Sequence, residues 1–453
     1  MSMTRKTIQA TIEKIIAGGA GLARLADGVV AMVPLTLPGE RVVLRPRSRK
    51  KQFVQAELVE VVTPAAERRV PLCPHFGLCG GCDLQHADYP AQLALKEAIL
   101  RELLLRSGIS GVGEEFSFTV AGAPQESGYR QRIRLQVAPD GRLGFHRPHS
   151  HEVVAITHCP LAAPALNEMI AILRHEEAAR RLCDHATAVE CILSPAEDRV
   201  VLLIHTTRPV RAADRQYATA LCAASDKLKG ILFSVPGKAL GPAITRKSGA
   251  DDATEPSSFA IRFTLPATLA GRDLHLTVEP GGFSQVNLEQ NEAMIATLLA
   301  WLDLAGSGRV LDLFCGMGNF SLPLAVRARS VVGMDLQGAA IRSARRNAEL
   351  NGLANCRFEK CGAEEGAQKL VTAGEKFDVV LLDPPRAGCR EVIPHLATLG
   401  ASRLVYISCD PATLTRDLGL LVQQGYAIDR MRLVDMFPQT HHLETMVLLR
   451  RLA

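Results

Sequence analysis

The sequence contains no long uninterrupted apolar run. No window of it approaches the ~18 uncharged apolar residues that a membrane-spanning helix requires. The segment at 1–19 is interrupted by Arg5, Lys6, Glu13 and Lys14, so it also has no apolar core of the kind found in signal peptides. These two absences argue against a membrane protein and against secretion, and they predict a cytoplasmic location.

One nucleotide-binding signature is also absent. There is no Gly-Lys-Ser/Thr sequence, which excludes a P-loop for nucleoside triphosphates. The chain shows no internal repeat and no low-complexity tract. Its hydrophobic residues make up 47% and its charged residues 22%, which is typical of a soluble globular protein. In the cytoplasm its 12 cysteines are expected to be thiols, metal ligands or catalytic groups, not disulfides.

The chain is predicted to belong to the α/β class and to contain three domains, because 453 residues exceed one hydrophobic core. Residues 1–63 form short alternating strands between glycine turns, as in a small β-barrel. Residues 64–275 predict an α+β middle domain, with an amphipathic helix at 89–107 and a polar loop at 248–258. Residues 276–453 repeat strand, turn and helix, which predicts a doubly wound parallel sheet.

Basic residues are clustered although the net charge is only +5. The two groups are Arg45, Arg47, Arg49, Lys50 and Lys51, and Arg130, Arg132, Arg134, Arg142 and Arg147. The first group is predicted to lie on a loop of the barrel. Such patches are typical of nucleic-acid binding, and a solvated surface is the alternative.

The strand ends of the third domain predict a nucleotide-type cofactor site. Asp312 ends one strand, and Gly316 and Gly318 follow it, so the backbone can approach a ligand closely. Asp335 ends the next strand, where a carboxylate can accept hydrogen bonds from ribose hydroxyls. A Gly-x-Gly turn after a strand is found in sites for NAD, for FAD and for S-adenosylmethionine. The Asp-Pro-Pro-Arg segment at 383–386, and the lack of a third glycine, favour S-adenosylmethionine.

A cysteine and a glutamate lie at further strand ends of the same sheet. Cys409 follows the apolar stretch at 404–407, where active sites of open α/β sheets are found, and a thiolate there would be a good nucleophile. Glu444 begins the last strand and is a candidate general base. His441 and His442 are the alternatives for that role, unless they are surface loop residues.

Four cysteines are candidate ligands of a metal centre. They are Cys73, Cys79, Cys82 and, as the fourth, Cys159. Gly80 and Gly81 would let the backbone wrap closely around a bound group, and Cys183 and Cys191 are alternatives for the fourth position. Ligand type alone leaves zinc and an iron–sulfur cluster open.

Taken in order, these motifs resemble those of the RNA uracil-C5 methyltransferase family over essentially the whole chain. The segments that carry the resemblance are Phe283-Ser284-Gln285-Val286-Asn287, the turn at 310–320, Asp383-Pro384-Pro385-Arg386, Ser408-Cys409-Asp410-Pro411 with Thr413, Leu414, Arg416 and Asp417, and His442-Leu443-Glu444-Thr445.

The resemblance implies a Rossmann-like domain that uses S-adenosylmethionine to methylate C5 of a uridine. Cys409 would form a covalent bond to C6 of the base, and Glu444 would remove the C5 proton. The residues implied to line the donor and substrate site are Gln285, Phe314, Asn319, Asp335, Gly362 and Asp383.

The resemblance extends to the N-terminal half. The barrel is similar to an RNA-binding TRAM domain, and the spacing of the four cysteines implies a [4Fe-4S] cluster. Together they are most like the branch that methylates 23S rRNA. The segment at 128–132 resembles an arginine-rich RNA-contacting segment, in which Tyr129 would stack on a base. A monomer that binds RNA and no membrane is expected.

Other functions stay open at this point. A tRNA could be the substrate, because a barrel that binds phosphates carries no site information. The chain could instead be an amino-methyltransferase that uses Asp-Pro-Pro to hold an amide. That function would need an aromatic residue in place of Arg386 and would give Cys409 no catalytic role. An RNA-binding protein with an inactive enzyme domain would leave the catalytic residues unexplained.

Overall fold

The structure is a computed structural model. It describes residues 7–238, 240–245 and 259–452, so the predicted polar loop at 248–258 lies outside the described residues. Among the helices described, none has both the length and the apolar composition needed to cross a membrane.

The predicted small barrel is confirmed. Its strands are β1 (Ile8–Ile15), β2 (Gly21–Arg24), β3 (Val30–Val33), β4 (Arg41–Arg49) and β5 (Phe53–Thr63). They close in the order β1-β2-β3-β5-β4. Side chains alternate between the interior and solvent, as the pleat of a strand requires. Val42 and Leu44 are fully buried, whereas Arg41 is exposed.

The arginines of the first basic group lie on a strand, so the prediction that the whole group occupies a loop was wrong, and only Lys50 and Lys51 lie in the turn between β4 and β5. Arg45, Arg47 and Arg49 belong to β4, which pairs with β5 along its length. Glu57 on β5 accepts hydrogen bonds from Arg45 Nη1 and Arg47 Nε, both at 2.6 Å. Opposite charges on neighbouring strands stabilise the pairing, and here they also neutralise part of the basic run.

The middle region contains one long helix and one large sheet. Its elements are α1 (Tyr89–Arg106), β6 (Thr119–Ala121), β7 (Arg132–Val137), β8 (Leu143–His146), β9 (Val153–Ala155), α2 (Pro164–His175), α3 (Glu177–Cys183), β10 (Ala186–Ser194), β11 (Arg199–Thr206), α4 (Ala212–Ala224), β12 (Leu228–Ser234), β13 (Ala243–Ile244), β14 (Ile261–Leu265), α5 (Ala267–Ala270) and β15 (Leu274–Val278). Seven strands pair in the order β13-β12-β11-β10-β7-β8-β9, and β14 pairs with β15. Asp88 caps α1 by accepting a hydrogen bond from Ala91 N at 2.8 Å.

The C-terminal region is the predicted doubly wound sheet. Its elements are α6 (Leu288–Leu302), β16 (Arg309–Asp312), α7 (Ser321–Ala325), β17 (Ser330–Asp335), α8 (Gly338–Leu350), β18 (Cys356–Lys360), α9 (Ala363–Thr372), β19 (Val379–Leu382), α10 (Ile393–Leu396), β20 (Arg403–Ser408), α11 (Pro411–Gln423), β21 (Tyr426–Val434) and β22 (Glu444–Arg451). The strand order is β18-β17-β16-β19-β20-β22-β21-β6.

Strand order fixes where a ligand can bind in this sheet. β16 pairs in parallel with both β17 and β19, so the direction of winding reverses at β16. Ligands of open α/β sheets bind outside the carboxyl ends of the strands at such a point. β6, from the middle region, pairs with β21 and forms the edge of the sheet, so the two regions share one sheet. The domain boundaries at 63 and 275 stay a prediction.

Candidate active site

A cleft of about 650 Å³ opens at the carboxyl ends of the parallel strands. Seven of the predicted site residues line it: Gln285, Phe314, Asp335, Gly362, Asp383, Cys409 and Glu444. Asp335 ends β17 and Glu444 begins β22, whereas the others lie in loops that follow β16, β19 and β20 or precede α6 and α9. The structure therefore assembles one site from residues that are far apart in the sequence.

Asp335 is held in a fixed orientation at one end of the cleft. Its carboxylate accepts hydrogen bonds from the backbone N–H groups of Gly316 at 3.0 Å and Gln337 at 2.7 Å. Gly316 has φ 55°, a left-handed conformation that glycine adopts without strain. A carboxylate has acceptor capacity beyond two hydrogen bonds, so Asp335 can also receive hydroxyl groups of a ligand.

Two further polar residues of this region support the turn and do not line the cleft. Asp312 is buried and accepts a hydrogen bond from Ser321 Oγ at 2.6 Å. Burial raises its pKa to about 7. Asn319, a predicted site residue, exchanges two side-chain hydrogen bonds with Asn291, at 2.9 and 2.8 Å, and is not part of the cleft wall.

Cys409 and Glu444 meet because of the register between two strands. β20 and β22 are antiparallel, and Ser408 pairs with Thr445. Cys409 comes directly after Ser408 and Glu444 directly before Thr445, so both side chains belong to the same end of this strand pair. Asp410 caps α11 by accepting hydrogen bonds from two backbone N–H groups, so the chain turns into the helix immediately after Cys409.

Charges around Cys409 oppose one another. Burial raises the pKa of the Cys409 thiol to about 11, the Glu444 and Asp383 carboxyl groups raise it as well, and the Arg386 guanidinium lowers it. Burial, and next Asp383, raise the pKa of Glu444 well above its usual range. Burial, with the nearby Asp312, raises the pKa of Asp383 to about 7. The cleft thus concentrates acidic groups around a single arginine.

The two histidines near Glu444 have different surroundings. His442 lines the cleft, and burial, followed by the neighbouring His441 and Arg386, lowers its pKa to about 4. It is therefore a neutral imidazole at neutral pH. His441 points away, and its Nδ1 lies 2.5 Å from Asp83 Oδ2. His441 therefore contacts the segment that follows Cys82.

The loop before Glu444 is anchored by buried polar contacts. Lys96 and Asp435 form an ion pair at 2.5 Å with both side chains fully buried. Gln439 is fully buried in the left-handed region, at φ 71°. Its backbone N–H donates to Gln92 Oε1 at 2.9 Å, and its carbonyl accepts from Leu84 N at 3.0 Å. Helix α1 and the cysteine-rich segment together fix this side of the cleft.

The four predicted cysteine ligands line a second cavity, of about 100 Å³, called the cysteine cavity below. Gly81 N–H donates to Cys79 Sγ at 3.4 Å, and Gln85 Oε1 accepts from the backbone N–H of Cys73 at 2.9 Å. Burial raises the pKa of Cys79, and the thiols of Cys159 and Cys73 raise it further. These thiols therefore lie close enough to repel one another when charged.

Of the three candidates for the fourth cysteine, Cys159 lines the cysteine cavity. Cys183 and Cys191 are buried in the core of the middle region and do not line the cavity. Among the residues that the structure describes, no group of three or more His, Cys, Asp or Glu side chains is arranged so that it could hold a metal ion.

Comparison with known proteins shows the family. A family model described as tRNA (uracil-5-)-methyltransferase matches residues 88–452. The chain belongs to the RNA uracil-C5 methyltransferase family. The 23S rRNA (uracil(1939)-C(5))-methyltransferase RlmD of Vibrio vulnificus strain CMCP6 is 36% identical over 449 residues, which are 97% of this chain and 95% of that protein. RlmD of Klebsiella pneumoniae strain 342 is 36% identical over 454 residues, 99% of this chain and 96% of that protein.

A solved structure agrees with the fold of this uracil-C5 methyltransferase. The crystal structure of the Pyrococcus abyssi tRNA (uracil-54, C5)-methyltransferase in complex with S-adenosyl-L-homocysteine matches with a TM-score of 0.74 and 24% identity. The match covers 98% of this chain and 100% of that chain. The prediction of the family from sequence motifs and the predicted fold class are both confirmed.

One predicted contact of this uracil-C5 methyltransferase was wrong. Tyr129 is only 5% exposed, and its hydroxyl donates to the carbonyl of Pro438 at 3.0 Å. It therefore supports the loop before Glu444 and cannot stack on an RNA base. The arginines of the second basic group do not all face one surface. Arg132 pairs with Glu190 at 2.8 Å, and Arg130 lines the cysteine cavity.

Sequence reasoning missed the apolar residues at the cleft. Phe283 is 65% exposed and Leu336 is 72% exposed, and both line the cleft together with Phe437. Exposed apolar side chains beside a polar cleft are typical of surfaces that contact flat ligands. Their positions gave a signal, since Phe283 lies two residues before Gln285 and Leu336 directly follows Asp335.

Proposed function

We propose that this protein methylates C5 of a uridine in 23S rRNA with S-adenosylmethionine as the methyl donor. The observation that carries the proposal is the pairing of β20 with β22, which brings the Cys409 thiol and the Glu444 carboxyl to one end of a cleft that also contains Asp335. The similarity to RlmD proteins over nearly the full length of both chains supports 23S rRNA as the substrate.

The chemistry explains why a thiol and a carboxylate are both present. C5 of uracil is a weak nucleophile until the Cys409 thiolate adds to C6, which moves an electron pair into an enolate spanning C5, C4 and O4. C5 then attacks the methyl carbon of the sulfonium, and the donor sulfur leaves with the electron pair of the broken bond. Glu444 takes the C5 proton, the C5=C6 double bond forms again, and the Cys409 sulfur leaves C6.

Arg386 and the donor charge would favour the reactive ionisation states. Arg386 lowers the pKa of both Cys409 and Glu444. A sulfonium carries one positive charge, and a positive charge in a partly desolvated cleft favours the anionic form of every acidic group near it. Binding of the donor would therefore promote the thiolate of Cys409 and the carboxylate of Glu444. Asp335 would hold the donor by its ribose hydroxyls.

The target base would have to leave its stack to reach Cys409, as for other enzymes that act on a base. The exposed side chain of Phe283 at the cleft supports a stacking contact with RNA. The barrel is proposed as a TRAM-like RNA-binding domain. We further propose a monomeric protein that acts in the cytoplasm.

The cysteine cavity fits a [4Fe-4S] cluster. Four thiols line it, and Cys79 Sγ already accepts an N–H hydrogen bond, as cluster sulfurs do. An added Cβ at Gly80 would lie 3.0 Å from the carbonyl oxygen of His146, so glycine permits the close wrapping of this segment. Cys73, Cys79, Cys82 and Cys159 would hold the cluster through their thiolate sulfurs. When bound, the cluster would tie together two segments far apart in sequence.

The proposed substrate can be tested against its alternatives in one assay. Purified protein should transfer a labelled methyl group from S-adenosylmethionine to unmodified 23S rRNA, and nucleoside analysis should give 5-methyluridine, because Cys409 and Glu444 meet the requirements of C5 chemistry. The matched control is unmodified tRNA under the same conditions. 5-Methyluridine in tRNA alone would replace the proposed substrate with tRNA. Methylation of an amino group in either RNA would favour the amino-methyltransferase alternative.

Metal analysis tests the proposed cluster. Protein purified without air is expected to contain about four iron atoms per chain, held by four thiolates. Cys82→Ser should lose most of this iron, because a serine hydroxyl is a poor ligand for a soft cluster. Cys183→Ser is the matched control and should keep the iron, since Cys183 lies in the core of the middle region. Stoichiometric zinc in place of iron would contradict the cluster.

A further inference from the structure

A buried carboxylate outside the cleft connects two of its walls. Asp417, on α11, is fully buried and does not line the cleft. Its Oδ2 accepts two hydrogen bonds, from the Tyr406 hydroxyl at 2.8 Å and from the backbone N–H of Cys389 at 2.9 Å. Tyr406 lies on β20 three residues before Cys409, and Cys389 ends the loop that begins with Pro384. One carboxylate thus contacts both the strand that carries the thiol and the loop at 384–389.

The loop at 384–389 contacts the side chains of Asp417 and of its neighbour Arg416. Arg416 Nε donates to Asp417 at 2.8 Å, and Arg416 Nη2 donates to the carbonyl of Ala387 at 2.8 Å. Gly388 has φ 79°, and a Cβ added there would overlap both a carboxylate oxygen of Asp417 and Arg416 Nη2. A side chain at position 388 would therefore push the loop away from Asp417.

The same loop carries Arg386, the arginine among the described residues that lines the cleft beside Cys409. The charged and titratable groups that face this thiol are Glu444, Arg386 and Asp383. Glu444 and Asp383 disfavour the thiolate, whereas the guanidinium of Arg386, which lines the same cleft, favours it. Arg386 is otherwise exposed, so the backbone of the loop determines where its side chain begins.

We infer that Asp417 is a positioning residue, which holds the loop at 384–389 so that Arg386 stays against the Cys409 thiol. This inference rests on the proposed function, because that function makes Cys409 the reacting group. Asp417 does not line the cleft and would not touch the substrate. It would act on Cys409 through its hydrogen bonds to Tyr406 and Cys389.

Asp417 could act on Cys409 by positioning the loop or directly through its negative charge. The two possibilities predict opposite changes in the reaction rate of Cys409 when Asp417 is replaced. Replacing Asp417 with asparagine removes a negative charge, which by itself would favour the thiolate of Cys409 and speed its reactions. Asparagine has one acceptor oxygen instead of two, so either Arg416 or the Tyr406 and Cys389 donors lose their acceptor. Because these donors hold the loop, its release would move Arg386 away, disfavour the thiolate and slow the reactions of Cys409. A slower reaction of Cys409 can therefore come only from the displaced loop.

The experiment measures alkylation of Cys409 by iodoacetamide in the full-length protein without RNA or methyl donor. Mass spectrometry of the peptide that contains Cys409 gives its rate at a series of pH values below the thiol pKa. Asp417→Asn is expected to slow the reaction about five- to tenfold at each pH, since one pKa unit changes the thiolate fraction tenfold. Gly388→Ala should give the same shift without altering any charge.

Asp214→Asn is the matched control. Like Asp417, Asp214 is buried on a helix and accepts hydrogen bonds from an arginine, Arg208, at 2.8 and 3.0 Å. Unlike Asp417, it lies in the middle region. It should leave the alkylation profile of Cys409 unchanged. In an Arg386→Ala background, Asp417→Asn should cause no further slowing, because the group it positions is gone.

Two outcomes would overturn the inference: an unchanged or faster alkylation of Cys409 in Asp417→Asn, or an equal slowing in the Arg386→Ala background. Neither depends on methyl transfer. A wild-type protein that shows the expected alkylation pattern but methylates no uridine would overturn the proposed function alone.

Discussion

Cys409→Ala is expected to lose methyl transfer by at least about a thousandfold, because no other group can convert C5 of uracil into a nucleophile. Binding of RNA should persist, since the barrel and the cleft walls keep their structure. Replacing a half-buried thiol with a methyl group is also a small change in volume. The measurements are labelled methyl transfer to RNA and a binding titration with the same RNA.

Cys356→Ala is the matched control for this prediction. Cys356 is also half-buried, but it begins β18 and does not line the cleft. It should retain activity. Methyl transfer by Cys409→Ala at more than a tenth of the wild-type rate would show that the nucleophile lies elsewhere.

Glu444→Gln is expected to stop the reaction after methyl transfer and before release. The thiolate can still add to C6 and C5 can still take the methyl group, but an amide cannot accept the C5 proton. The protein should accumulate a covalent complex with RNA that contains one methyl group and survives denaturation. Gel electrophoresis of the denatured protein with labelled donor measures this complex.

Two variants test the specificity of this trapping. Glu292→Gln is a matched control, since burial also raises the pKa of Glu292 and its side chain does not line the cleft. It should turn over normally without an adduct. The double variant Cys409→Ala with Glu444→Gln should form no adduct, because the sulfur is absent. If Glu444→Gln releases methylated RNA at the wild-type rate, another group removes the proton.

Residues at strand ends were the part of the site that the sequence could predict. Asp335 ends an apolar strand, Asp383 and Cys409 directly follow one, and parallel strands place such residues at one edge of a sheet. The barrel and the long helix α1 were predictable for a similar reason, because local periodicity and glycine turns define them.

Contacts between distant segments could not be predicted in this way. Tyr129 lies in an arginine-rich segment that resembles an RNA contact, yet its ring is buried against Pro438 from the other end of the chain. The run at 45–49 is polar enough for a loop, but pairing with β5 and with Glu57 holds it as a strand. The partner lies 309 positions away for Tyr129 and 12 positions away for Arg45, and in each case the contact with it overrides the local pattern.

The register between β20 and β22 has a consequence for how the enzyme can change over evolution. The spacing of Cys409 and Glu444 is set by backbone hydrogen bonds between two central strands, not by the connection between them. Insertions within the turn that joins α11 to β21, at 424–425, should therefore be tolerated without separating the two residues. A shift of one residue in either strand would instead turn one of the two side chains to the opposite face of the sheet.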